Sequence, residues 1–174
     1  MDPMDPIEKA KSQMGPLTKK LTGLPGIEAY REKEMRRDSD KLVRDRLVHE
    51  LETRRLRING LQEQVLAAGG LLLMDDMEQV TGRLQLLLDR VRTAAYGYAG
   101  FYDLERVLEP QLEALIKYDQ ALFDSLPALD SSIDGLDKAV QANDGIPAAL
   151  QAVTAAVTDL SDKFGRRMEA ITNA

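Results

Sequence analysis

Met77, Leu84, Val91 and Tyr98 stand seven residues apart, and Val80, Leu87 and Ala94 fill the places between them. Apolar side chains at alternating steps of three and four lie on one face of an α-helix and demand a partner helix to cover them. A strand cannot use this pattern, because its faces repeat every two residues. The spacing therefore predicts a long helix from residue 75 to about 125. Leu86, Leu88 and Ala95 widen its apolar surface, which predicts a central position touching more than one neighbour.

The same spacing recurs elsewhere. Leu47, Leu51, Ile58, Leu61 and Val65 form a seam in which Arg54 occupies the one polar place. The proline-free, helix-forming stretch around it predicts a helix over 27–68, ended by Gly69-Gly70 as a left-handed cap. Its first part, 28–41, is almost wholly charged. With little apolar surface to bury, it is expected to project beyond the bundle. Leu115, Leu122 and Leu126 continue the second helix, with a kink or a fresh start near Pro110. Leu129, Ile133, Leu136 and Val140 predict a short helix over 128–142, opened by the break at Pro127. Turn residues Asn143-Asp144-Gly145 follow, with Pro147 placed where a first-turn proline is tolerated. Leu150, Val153, Val157, Leu160, Phe164 and Ile171 predict a last helix over 146–171. Asp75 and Asp76 suit the positive N-terminus of the helix they open.

The fold class is all-α: an elongated helical bundle of about four coiled-coil-like long helices behind a flexible N-terminal tail. Residues 1–26 hold four prolines and no sustained period and form the tail. Residues 27–174 form a single helical-bundle domain.

Composition narrows the function classes. Cysteine is absent and His49 is the single histidine, so disulfides, thiolate nucleophiles, zinc-thiolate sites and a paired Glu-x-x-His di-iron centre are excluded. A membrane-crossing helix needs about 20 apolar residues, whereas the apolar run Leu71 to Met74 is closed by glycines and aspartates. The start, Met1-Asp2-Pro3-Met4-Asp5-Pro6, lacks the apolar core of a secretory signal, so the expected location is cytoplasmic. Residues 1–74 carry 14 Lys/Arg against 12 Asp/Glu, and residues 75–174 carry 9 against 17. This asymmetry predicts a mildly basic first helix lying against acidic later ones, inside the chain or between chains.

Four segments invite a chemical reading. Tyr96, Tyr98, Phe101 and Tyr102 are half of all the aromatics and alternate with small residues. They are candidates for a partner-docking patch or for a tight helix crossing. Gly97-x-x-Gly100 lacks the strand and lysine of a phosphate loop. Arg36, Arg37 and Arg44 belong to an arginine-rich stretch and are further candidates for partner binding. Acidic residues interleave there, Glu32 with Arg36 and Asp40 with Arg44 at favourable i,i+4 spacing, so nucleic acid is not the expected ligand. Asp130 to Gln141 places oxygens as a calcium loop would, but Gln141 stands where a bidentate glutamate belongs, and the helical period competes for the same residues.

No catalytic residue, cofactor or metal site is predicted. The expected function is non-catalytic: a helical scaffold or adaptor mediating protein–protein interaction, with self-association into a homo-oligomer suggested by the many seams. The alternative is peripheral association with a membrane surface, or its remodelling, through residues 7–60 and anionic lipid.

Overall fold

The computed structural model describes residues 33–94 and 109–172, with side chains over 38–94 and 113–170. Four helices form in chain order: α1 Lys33–Ala67, α2 Met74–Thr93, α3 Glu109–Ala142 and α4 Ile146–Thr172, with one 3₁₀ turn, Leu71–Leu73, ahead of α2. Among the described residues there is no strand. At 35 residues, α1 is roughly 52 Å long for a rise of about 1.5 Å per residue.

Each hairpin closes through a left-handed residue. After α1, Gly69 adopts φ +83° and its N–H donates to the Leu66 carbonyl, while the Gly70 N–H reaches back to the Val65 carbonyl at 2.9 Å. These bonds satisfy carbonyls that the helix end would otherwise leave open. After α3, Asn143 takes the same role at φ 50°, donating to the Val140 carbonyl, and the Asp144 N–H bonds that of Ala139. Asparagine enters this conformation at less cost than most side chains do. Asp75 and Asp76 lie in the first turn of α2, where a negative charge meets the helix dipole favourably.

The two hairpins lie side by side. Helix α1 packs against α2 and α3, and α4 packs against α3 and α2, so α1 and α4 stand on one diagonal. Arg54 meets Asp130, and Arg57 meets Asp134. The rising order on both helices makes α1 and α3 parallel, and both tight turns therefore sit at the same end of the bundle. The expected meeting of a basic first helix with acidic later ones occurs here, within the chain.

The seams form the core. Val43, Leu47, Leu51, Ile58, Leu61 and Val65 of α1 are buried, as are Met77, Val80, Leu84, Leu87, Leu88 and Val91 of α2. From α3 come Leu115, Leu122, Phe123, Leu126, Leu129, Ile133 and Leu136, and from α4 Ile146, Leu150, Val153, Val157, Leu160 and Phe164. Burying one such side chain contributes about 1.5–3 kcal/mol relative to exposure.

Three expectations need correction. The predicted break between helices 75–125 and 128–142 does not exist: α3 runs without interruption from Glu109 to Ala142 with Pro127 inside it. The buried places 115, 119, 122, 126, 129, 133 and 136 keep one unbroken three-four rhythm through the proline. The burial on both sides outweighs the hydrogen bond that Pro127 cannot donate to the Phe123 carbonyl. Along the predicted 75–125 helix, α2 ends at Thr93 and α3 begins at Glu109, with Pro110 in the first turn, where its missing N–H is not needed. The stretch 95–108, like the tail and residues 27–32, lies outside the described residues. Finally, the charged start of α1 does not all project: Ser39 and Asp40 are buried.

Two substitutions test this frame. A Cβ on Gly70 would lie 2.6 Å from Val65 Cγ1 and 2.9 Å from the Val65 carbonyl oxygen, whereas one on Gly82 meets nothing within 4 Å. Gly70→Ala is expected to lower stability by about 1–3 kcal/mol, and Gly82→Ala to raise it by about 0.5–1 kcal/mol, both read from urea unfolding. Pro127→Ala restores an N–H donor within α3, and its thermal midpoint should rise; an unchanged or lower midpoint would show that the helix tolerates the proline without strain.

Candidate functional site

Each seam of α1, α3 and α4 is interrupted once near the end opposite the tight turns. The place after Phe164 in the rhythm of α4 is Arg167, the place between Leu115 and Leu122 in α3 is Asp119, and the place before Val43 in α1 is Asp40. All three side chains are buried, Arg167 completely. They meet. Arg167 Nη2 donates to Asp40 Oδ1 at 2.9 Å across the diagonal of the bundle. Arg167 Nε donates to Asp119 Oδ1, and Nη2 lies 3.5 Å from Asp119 Oδ2. The second oxygen of Asp40 accepts from Arg44 Nε at 2.6 Å. Two guanidinium groups thus face two carboxylates, which balances the charge of these four groups inside an apolar core. A planar guanidinium suits this role, because its fixed fork can serve two carboxylates at once.

A second network ties α1 to α3. Arg54, at its seam place, donates to the Glu50 side chain at 2.9 Å and to Asp130 at 2.6 Å, and Arg57 donates to Asp134 at 2.6 Å. Arg54 Nε and Arg55 Nε are buried without a hydrogen-bond partner. The carboxylates weighed as calcium ligands, Asp130 and Asp134, are therefore turned to arginines from within a continuous helix. Among the described residues, no group of three or more acidic or histidine side chains is placed to hold a metal ion.

Two arrangements resemble reactive sites and are explained by packing. Lys163 Nζ lies 2.6 Å from both Ser125 Oγ and Asp159 Oδ2, and Ser125 in turn donates to the Ala121 carbonyl at 2.7 Å. A serine nucleophile needs a neighbour that accepts its proton, whereas here the lysine donates and the hydroxyl is committed to its own helix. Between α2 and α4, Arg90, Ser161, Asp162, Gly165, Arg166 and Glu169 line an open groove of about 310 Å³. Arg90 is held there by Ser161 Oγ at 2.6 Å and lies over the Phe164 ring, 5.9 Å from its centroid. Two cations and two carboxylates leave this groove without a net field.

The outer surface carries a different signal. Leu42, Leu56, Leu66, Leu71, Leu72 and Leu86 are exposed, Leu72 at 96% and Leu71 at 70%. Leu86 was expected to touch a neighbouring helix, but its place, two residues from Leu84 and Leu88, points it away from the core. Leu66, Leu71 and Leu72 gather around the α1–α2 turn.

Of the residues singled out by sequence, Arg44 is 12% exposed and bound to Asp40. The backbone of Arg36 and Arg37 is part of α1, but their side chains lie outside the described residues, as do Tyr96, Tyr98, Phe101 and Tyr102 altogether. The buried layer was not foreseen. Its signal was nonetheless present, as a missing apolar residue at positions 119 and 167 of otherwise regular seams. Comparison with protein-family models, with curated proteins and with solved structures finds no match.

Removing Arg167 takes away the buried guanidinium that Asp40 and Asp119 share. Arg167→Met is expected to cost about 3–5 kcal/mol of unfolding free energy, measured by urea titration. Arg57→Met, at a pair that is largely exposed, should cost under about 1 kcal/mol.

Proposed function

We propose that this chain is a non-catalytic helical adaptor that binds other proteins through the outer faces of its bundle. The observation that supports the reading is the exposed leucine cluster Leu66, Leu71 and Leu72 at the α1–α2 turn. The seams are consumed inside the chain, so self-association, if it occurs, would use these outer leucines rather than the heptad places. Burial of three such leucines against a partner offers several kcal/mol of apolar contact, enough to matter in recognition. Membrane-surface association is favoured less, because four arginines of α1 are turned inward or along the helix to carboxylates. Arg44 pairs with Asp40, Arg46 with Glu50, Arg54 with Asp130 and Arg57 with Asp134. Paired cations contribute little attraction to an anionic surface. No helix among the described residues is long and apolar enough to cross a membrane.

The test is a double substitution, Leu71→Ser with Leu72→Ser. Both side chains are exposed, so stability should change by less than about 0.5 kcal/mol. Partner capture by the immobilised chain, or a dimer seen by light scattering, should fall by at least about tenfold, which is the effect of losing 1.4 kcal/mol. Equal capture and equal mass for both forms would defeat the assignment of this surface.

A further inference from the structure

Within each hairpin, the alignment of the two helices is fixed by a tight turn. Between the hairpins the described residues include no such turn, for α2 ends at Thr93 and α3 begins at Glu109. Four apolar seams with a seven-residue repeat are close to degenerate under a slip of one heptad, because Leu, Val and Ile layers substitute for one another at modest cost. The Arg54–Asp130 pair is tolerant too: a seven-residue slip that takes Arg54 away from Asp130 brings it to Asp137, which is also acidic. The buried layer has no such tolerance. The same slip sets Asp40 against the level of Leu126 and Leu160, and withdraws it from Arg167.

We propose that the Asp40–Arg167–Asp119 layer is the register lock of this bundle: it selects which layer of the α3–α4 hairpin meets which layer of the α1–α2 hairpin. Arg167–Asp119 lies within one hairpin and holds the guanidinium in place, while Arg167–Asp40 joins the two hairpins. Arg44 takes the other oxygen of Asp40 and keeps that carboxylate from being stranded on one bond. A slip between the hairpins breaks the buried Asp40–Arg167 pair and leaves Asp40 with Arg44 alone, a loss that apolar layers cannot offset. A single buried polar layer is known to set register in coiled coils at some cost in stability.

The chain has no cysteine, so introduced pairs report alignment cleanly. Arg57→Cys with Asp134→Cys marks the observed register, and Arg57→Cys with Gln141→Cys marks a slip of seven. With the layer intact, a short bis-maleimide should cross-link the first pair more than about tenfold faster than the second. In a chain also carrying Asp40→Leu, Asp119→Leu and Arg167→Met, the two rates should converge to within about threefold while helicity by circular dichroism is kept. A layer that only stabilises would move the melting temperature and leave the tenfold preference intact, and that result overturns the proposal. Inverting all four charges, Asp40→Arg, Arg44→Asp, Asp119→Arg and Arg167→Asp, keeps each of these contacts between opposite charges and should restore the preference even if the apolar layer fails to fold. Equal rates in a helical charge-exchanged chain overturn the proposal as well.

Discussion

Burial of four apolar seams against one another is the interaction on which the rest of this structure depends. The seams explain why the chain is helical along almost all of its described length, and why a proline can sit inside α3. They also explain why the helices stand as two hairpins rather than as separate rods, since a single amphipathic helix has nowhere to place such a face. What the seams do not supply is uniqueness. Aliphatic layers resemble one another, and side chains of similar volume exchange places at small cost.

The charged layer stands against this background of sameness. Arg167, Asp40 and Asp119 occupy core places that an aliphatic residue would fill without difficulty, and the desolvation of their charges is costly. Their geometry compensates by giving the guanidinium two carboxylates, one from its own hairpin and one from across the diagonal. The layer also accounts for the burial of Asp40 in the charged early part of α1, which enters the core on the strength of a counter-charge rather than of apolar area. The surface networks around Arg54 and Arg57 follow a different logic. Although Arg54 itself is buried, the acidic partners are exposed or half-exposed and repeat along α3, so these pairs hold the helices together without distinguishing one alignment from the next.

Much of the architecture was legible from residue spacing. The seams of α1, α2 and α4 were read nearly residue for residue, and Gly69-Gly70 and Asn143-Asp144-Gly145 marked both turns. Two local signals misled. Pro127 read as a break because a proline weakens a helix locally, whereas the unbroken rhythm on both sides of it carried more free energy. Leu86 read as core because an aliphatic residue beside the seam widens an apolar face on paper, yet none of the described helices covers it. The charged layer was legible only as gaps, at positions 119 and 167, and a gap in a seam says that a residue is polar without saying what it meets.

The sequence by itself determined that this protein is helical, where its helices turn, and which face of each is buried, because these follow from periods within about ten residues and from the backbone freedom of single turn residues. Only the tertiary structure decided that Asp40, Asp119 and Arg167 belong together. They are separated by 48 and 127 residues along the chain, and local periodicity carries no information across such distances. Long-range pairing is settled when the hairpins pack, since only then does the cost of an unpaired buried charge act.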